Sequence, residues 1–125
     1  MFTTKDKIKK IGRLKKRSDF ICIQQSGRKW VAKGMIVEIL PQEDGGVRYG
    51  LTVSKKVSKL AVIRNRIKRR LRAAACDVLP EYADLNLDIV LIGRQTTQDR
   101  AYQDLCQDLR WCLKKMDIHP KGGQR

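Results

Sequence analysis

The residues of this chain best suited to chemistry are cations. Residues 54–75 contain nine lysines and arginines: Lys55, Lys56, Lys59, Arg64, Arg66, Lys68, Arg69, Arg70 and Arg72. The same stretch has no Asp or Glu. Helix surfaces ordinarily set such charges against carboxylates three or four residues away. A merely solvated face would carry interspersed acids, so the pattern points to an anionic partner. Phosphates supply the missing charge, and each one neutralised releases counterions. Arginine adds planar, bidentate contacts that lysine cannot make. Asn65 differs in kind, because its amide can read a base edge or hold a neighbouring arginine in place.

Other chemistries find little support. The only histidine is His119, near the C-terminus. No nucleophile–histidine–acid set can be assembled, and no tight carboxylate group suggests a metal. Cys22, Cys76, Cys106 and Cys112 include no C-x-x-C pair, so the close spacing of a zinc site is missing. They are expected to be buried, reduced thiols. The acidic "EDGG" at 43–46 reads as a turn. The chain is therefore not expected to be a nuclease by its own side chains, nor to bind a cofactor.

Several elements must position the cations. On a helical wheel Ile63, Ile67, Leu71, Ala74, Ala75 and Val78 share one face, the buried side of a helix that ends near Leu79 before Pro80. Arg64, Lys68 and Arg72 form one basic stripe. Asn65 and Arg69 form another, with Arg66 further round. A short helix is predicted from Ser18, as N-cap, to Ser26, with Asp19 near its start and a stop at Gly27. Phe20 on it is either core or a platform for a stacked base. "RKWVAKGMIVEIL" suggests two strands, or one bent at Gly34. Pro41 ends the second, "QEDGG" makes a hairpin turn, and "VRYGLTVS" is the next strand. "LDIVLIG" at 87–93 suits a strand buried on both faces. The last helix runs from Thr97 or Gln98 to Met116, with Ala101, Leu105, Leu109, Cys112 and Met116 facing the core. Trp111, on its other side, is expected to rest on a loop or neighbouring segment.

The order helix, three strands, helix, strand, helix predicts an α/β two-layer sandwich. Its four-stranded mixed sheet would contain a β-α-β unit, right-handed by default. Residues 1–16 read as a flexible basic arm, 17–117 as one domain and 118–125 as a disordered tail. The 125 residues carry 28 Lys and Arg against 13 Asp and Glu, a formal charge of +15. Self-repulsion on that scale costs stability and so has a use, in binding nucleic acid or an anionic surface. The longest aliphatic run has four residues, 89–92, far short of the ~20 that a membrane span needs. No signal-peptide pattern is present, which places the protein in the cytoplasm.

"RYGLTVSKKV" followed by "RNRIKRRLRAA" closely resembles the bacterial ribonuclease P protein component, whose signature is the central "RNR". "LKKRSDF" at 14–20 resembles the start of that family's first helix, and "LDIVLIGR" its last strand. The resemblance spans roughly residues 14–116. It implies a small basic protein that binds a catalytic RNA through the RNR helix. The RNA, using Mg²⁺, removes the 5′ leader of precursor tRNA, while the protein holds that leader in a cleft between sheet and helices. It also implies a left-handed β-α-β crossover, in place of the default. Carried over residue by residue, Lys55, Lys56, Arg64, Asn65, Arg66, Lys68, Arg69 and Arg72 bind RNA, and Arg70, in the same run of cations, completes the expected RNA-binding set. Phe20, Lys68 and Arg72 border the leader cleft. Gln24, Glu38 and Ser58 depart from the family pattern: Gln24 and Glu38 stand where aromatic residues are frequent, and Ser58 where glycine is usual. The alternatives are a ribosome-associated or other structured-RNA-binding protein, and a basic membrane-surface protein.

Overall fold

The computed structural model describes residues 11–120. A five-stranded mixed sheet has the order β1-β4-β5-β3-β2. Its strands are β1 (Gly12–Arg13), β2 (Arg28–Val31), β3 (Met35–Pro41), β4 (Val47–Thr52) and β5 (Leu87–Gly93). Among the described residues three α-helices accompany it: α1 (Arg17–Ser26), α2 (Ala61–Val78) and α3 (Tyr102–Lys115). β4 and β5 pair in parallel with α2 between them, the expected β-α-β unit. The apolar run 87–93 lies at the centre, flanked by β4 and β3, and only Ile92 is not fully buried.

The two faces of the sheet are covered unequally. Met35, Val37 and Ile39 of β3, Val47 and Tyr49 of β4 and Leu87, Ile89 and Leu91 of β5 point to one face. There they pack against Ile67, Leu71, Ala74, Ala75 and Val78 of α2 and Leu105, Leu109, Cys112 and Leu113 of α3. The predicted buried side of α2 is the observed one, with Ile63 partly buried at its start. Each such aliphatic side chain contributes about 1.5–3 kcal/mol by leaving water. Among the described residues only α1 packs on the other face, through Ile23 and Phe20 against Leu14 and Val90, and no other described element covers the rest of it.

Several expectations need correction. The residues of 11–16 do not form a free arm: β1 pairs with Arg48 and Tyr49, Leu14 is buried, and its N–H donates to the Tyr49 carbonyl at 2.8 Å. This pairing supplies the fifth strand. The arm expected over residues 1–10 lies outside the described residues. Helix α1 starts earlier than Ser18, with Lys16 as N-cap and no side-chain cap, and ends at Gly27 as predicted. "QEDGG" turns the chain, with Gly45 and Gly46 at φ +96° and +69°, conformations that favour glycine. It does not close a hairpin, because β5 inserts between β3 and β4. Local turn chemistry cannot reveal which later strand will intervene.

The last helix begins at Tyr102, after a separate 3-10 turn over Gln95–Gln98, and Ala101 is exposed. The tail is anchored at its start: Ile118 packs on the core and its N–H donates to the Leu113 carbonyl at 2.8 Å. Residues 121–125 lie outside the described residues. Cys106 and Cys112 are buried thiols, whereas Cys22 and Cys76 are exposed. Trp111 meets a strand residue, Trp30 of β2, edge to face at 6.1 Å between centroids.

Buried polar groups are paired. Asp88 accepts from Arg48 at 2.9 and 2.7 Å and from Gln42 at 3.1 Å. The hydrogen bond to Asp88 pushes the Arg48 guanidinium above its ordinary value. Asp108 accepts from Arg100 at 2.8 and 3.0 Å and from the Gly34 N–H at 3.0 Å. Most acids near the core are thus consumed by arginines outside the basic stretch.

Candidate nucleic-acid interface

Helix α2 presents its cations on a frame set by its apolar face. Because Ile67, Leu71 and Val78 are buried against the sheet, most of the polar side chains of α2 are left facing outward. Asn65, Arg66, Arg69 and Arg72 are exposed and Lys68 is half-buried. The first turn of α2 carries no acid. Its N-terminus, the positive end of the helix dipole, therefore lies next to Lys55, Lys56 and Lys59 rather than next to compensating carboxylates. Among the described residues none of the nine predicted cations makes an ion pair; the acids that do pair engage Arg48, Arg100, Arg110 and His119.

Two of the nine are turned inward. Arg64 donates to the carbonyls of Ser58 and Lys59, each at 2.9 Å, and so fixes the loop leading into α2. Arg70 donates to the Thr97 carbonyl at 3.0 Å and to the Arg100 carbonyl, which ties α2 to the 3-10 turn. Its place in the run of cations hid a structural role that only the neighbouring turn could reveal. The other seven cations remain outward-facing.

On the opposite face of the sheet, beside α1, three contiguous cavities form one open groove. The first, about 390 Å³, is lined by Lys15, Arg17, Phe20, Ile21, Gln24, Leu51 and Thr52. The second, about 230 Å³, shares Phe20, Gln24 and Thr52 and adds Glu38, Ser54, Val90 and Ile92. The third, about 480 Å³, continues past Ser54 and Ile92 to Lys56, Arg94, Gln95 and Thr96. The groove has cations at both ends and an aromatic ring between them. Phe20 packs on Leu14 and Val90 and also lines the first two cavities. Gly50 makes room for it, since a Cβ there would lie 2.4 Å from Phe20 Cζ.

The groove does not include Lys68 or Arg72. Phe20 lies over Gly50 on the α1 face, whereas α2 lies on the other face, with Ile67 over Gly93. The helical period places Lys68 and Arg72 on one stripe correctly, but not on the side of the sheet that holds Phe20. Lys15, Arg17 and Arg94 are lining residues that the sequence reading misses. The first two stand in the quoted "LKKRSDF", and Arg94 ends "LDIVLIGR". Lys56, expected as an RNA contact, stands at the groove's far end.

Among the described residues no three His, Cys, Asp or Glu side chains gather into a group that could hold a metal. None of the described helices is long and apolar enough to cross a membrane.

Comparison with known proteins gives one consistent result. The family model for ribonuclease P matches residues 8–117. The ribonuclease P protein component of Paramagnetospirillum magneticum is 44% identical over 112 residues, covering 86% of this chain and 84% of that protein. That of Gluconacetobacter diazotrophicus is 42% identical over 107 residues, covering 85% and 91%. The solved structure of the Staphylococcus aureus RNase P protein superposes with a TM-score of 0.71 at 31% identity, covering 87% of this chain and 98% of that one. The Thermotoga maritima RNase P protein shares the fold, with a TM-score of 0.70 at 24% identity and coverage of 82% and 96%. These matches do not favour the ribosome-associated reading. With its basic RNR helix on one face of the sheet and an open groove on the other, the chain belongs to the ribonuclease P protein component family.

Proposed function

We propose that this chain works in the cytoplasm as the protein subunit that binds the ribonuclease P RNA and the 5′ leader of precursor tRNA. The RNA, with Mg²⁺, performs the cleavage. The observation that carries this reading is the set of outward cations on and before α2, unpaired with any acid among the described residues, in a chain of this family. Arg66, Asn65 and Arg69, joined by Lys68 and Arg72, meet the RNA subunit through phosphates, with Asn65 free to reach a base edge. The leader lies in the groove on the α1 face, where Lys15 and Arg17 at one end and Lys56 at the other attract its backbone. Phe20 offers a face on which a base stacks, worth ~1–3 kcal/mol.

The protein contributes position and electrostatics, holding substrate against the RNA and neutralising the crowded phosphates. The test is reconstitution with a cognate ribonuclease P RNA and a precursor tRNA at low Mg²⁺. Cleavage should require the RNA and should rise when the protein is added. Nuclease-free protein that cut precursor tRNA without RNA would overturn the proposal.

A further inference from the structure

Glu38 is out of place in a groove built for a polyanion. It stands on β3 on the α1 face, in the row Lys29–Glu38–Val90–Gly50 across four strands. It lines the central cavity with Phe20 and Gln24. No hydrogen bond or ion pair engages it among the described residues; Lys29, directly opposite on β2, does not come within ion-pair distance. Two strand spacings, about 10 Å, separate the Glu38 and Gly50 backbones, and the ring of Phe20 sits above Gly50. Val90 stands between them in the row, and the cavity that Phe20, Gln24, Glu38 and Val90 line holds about 230 Å³.

A free carboxylate repels phosphate, so a strand lying here must turn a base, not its backbone, toward Glu38. An ionised carboxylate only accepts hydrogen bonds. We infer that Glu38 reads the leader nucleotide in this cavity and selects guanine, then cytosine or adenine, over uracil. Guanine offers its N1–H and N2–H as a parallel pair of donors matching the two carboxylate oxygens, a charge-assisted bidentate contact. Cytosine and adenine offer one exocyclic amine each. Uracil offers only N3–H, between two carbonyls that face the carboxylate with like charge. Single-stranded RNA exposes these edges freely. The inference rests on the groove being the leader site.

The test uses the reconstituted holoenzyme and precursor tRNAs whose leader positions are varied one at a time among the four nucleotides, with mature tRNA as reference. At one position guanine should bind at least about fivefold more tightly than uracil, the low end for a good bidentate contact. Glu38→Gln, which both donates and accepts, should flatten that preference to within about twofold while leaving affinity for mature tRNA unchanged. Glu38→Ala provides a second variant with no hydrogen-bonding group, and it should flatten the preference equally. If the wild-type holoenzyme favours leader-bearing tRNA but treats all four bases alike at every position, the Glu38 inference is wrong and the leader reading stands. Guanine preference that persists in both variants would overturn the Glu38 inference in the same way. If the leader adds no affinity at all, the leader reading falls, and the inference with it.

Discussion

Replacing Gly50 with alanine tests the proposed leader groove separately from the basic helix. A Cβ at this position would lie 2.4 Å from Phe20 Cζ, 2.6 Å from Cε2 and 3.3 Å from Leu14 Cβ. Carbon atoms pack at roughly 3.5–4.0 Å, so the ring must move by roughly 1.1–1.6 Å. It has somewhere to go, because the cavities of about 390 and 230 Å³ both adjoin it. The cost in stability therefore falls at the low end of overpacking, about 1 kcal/mol. The displaced ring enters the space that a stacked base would occupy. Losing about half of a stacking contact removes about 1 kcal/mol, roughly a fivefold loss of affinity. Two titrations of the holoenzyme, onto leader-bearing precursor and onto mature tRNA, together with urea unfolding, measure the three quantities. Precursor binding should weaken by about that factor, while mature tRNA binding stays as it was. Equal loss in both titrations, or precursor binding unaffected by a confirmed ring shift, would refute the assignment of Phe20 to the leader.

The same geometry sets further outcomes. Arg70→Ala should destabilise the fold by about 1–3 kcal/mol, because its carbonyl partners Thr97 and Arg100 lose a charged donor. Arg66→Ala should leave denaturant stability unchanged and weaken RNA binding, and reversed roles for these two arginines would contradict the inward and outward placements. If five to eight phosphates are contacted, affinity for the RNA subunit should fall by a factor of roughly 500 to 20,000 between 50 and 200 mM salt, and a nearly flat titration would count against the electrostatic account. Burial pushes the Cys112 thiol from 9.0 up to about 12. Its favourable contribution is thus complete below pH 9 and is lost as pH rises toward 12, since only the unfolded chain ionises readily there. Alkaline unfolding titrations should show that decline. At pH 8 a thiol reagent should modify exposed Cys22 and Cys76 quickly and buried Cys106 and Cys112 only on unfolding.

Local periodicity and uncompensated charge are the features of this protein that the sequence determines by itself. The buried side of α2 is legible because Ile67, Leu71 and Val78 recur at helical spacing, and the centre of the sheet because residues 87–93 form a continuous apolar run. The cations of residues 54–75 announce an anionic partner without any fold, since charge surplus is additive and needs no geometry. Family membership is legible from short blocks in order. Tertiary structure alone decides which side of the sheet each functional group faces. The family resemblance implies that Phe20 and Lys68 border one cleft, yet α1 and α2 pack on opposite faces, and no local signal records that choice. Arg70 looks like its neighbours until the 3-10 turn, almost thirty residues later, places its carbonyls against the guanidinium. The hairpin expected at "QEDGG" fails for the same reason, because β5, forty residues on, inserts between the strands the turn connects. Helical period and turn propensity act over a few residues. The side on which an element lands is set by burial of apolar surface across the whole chain.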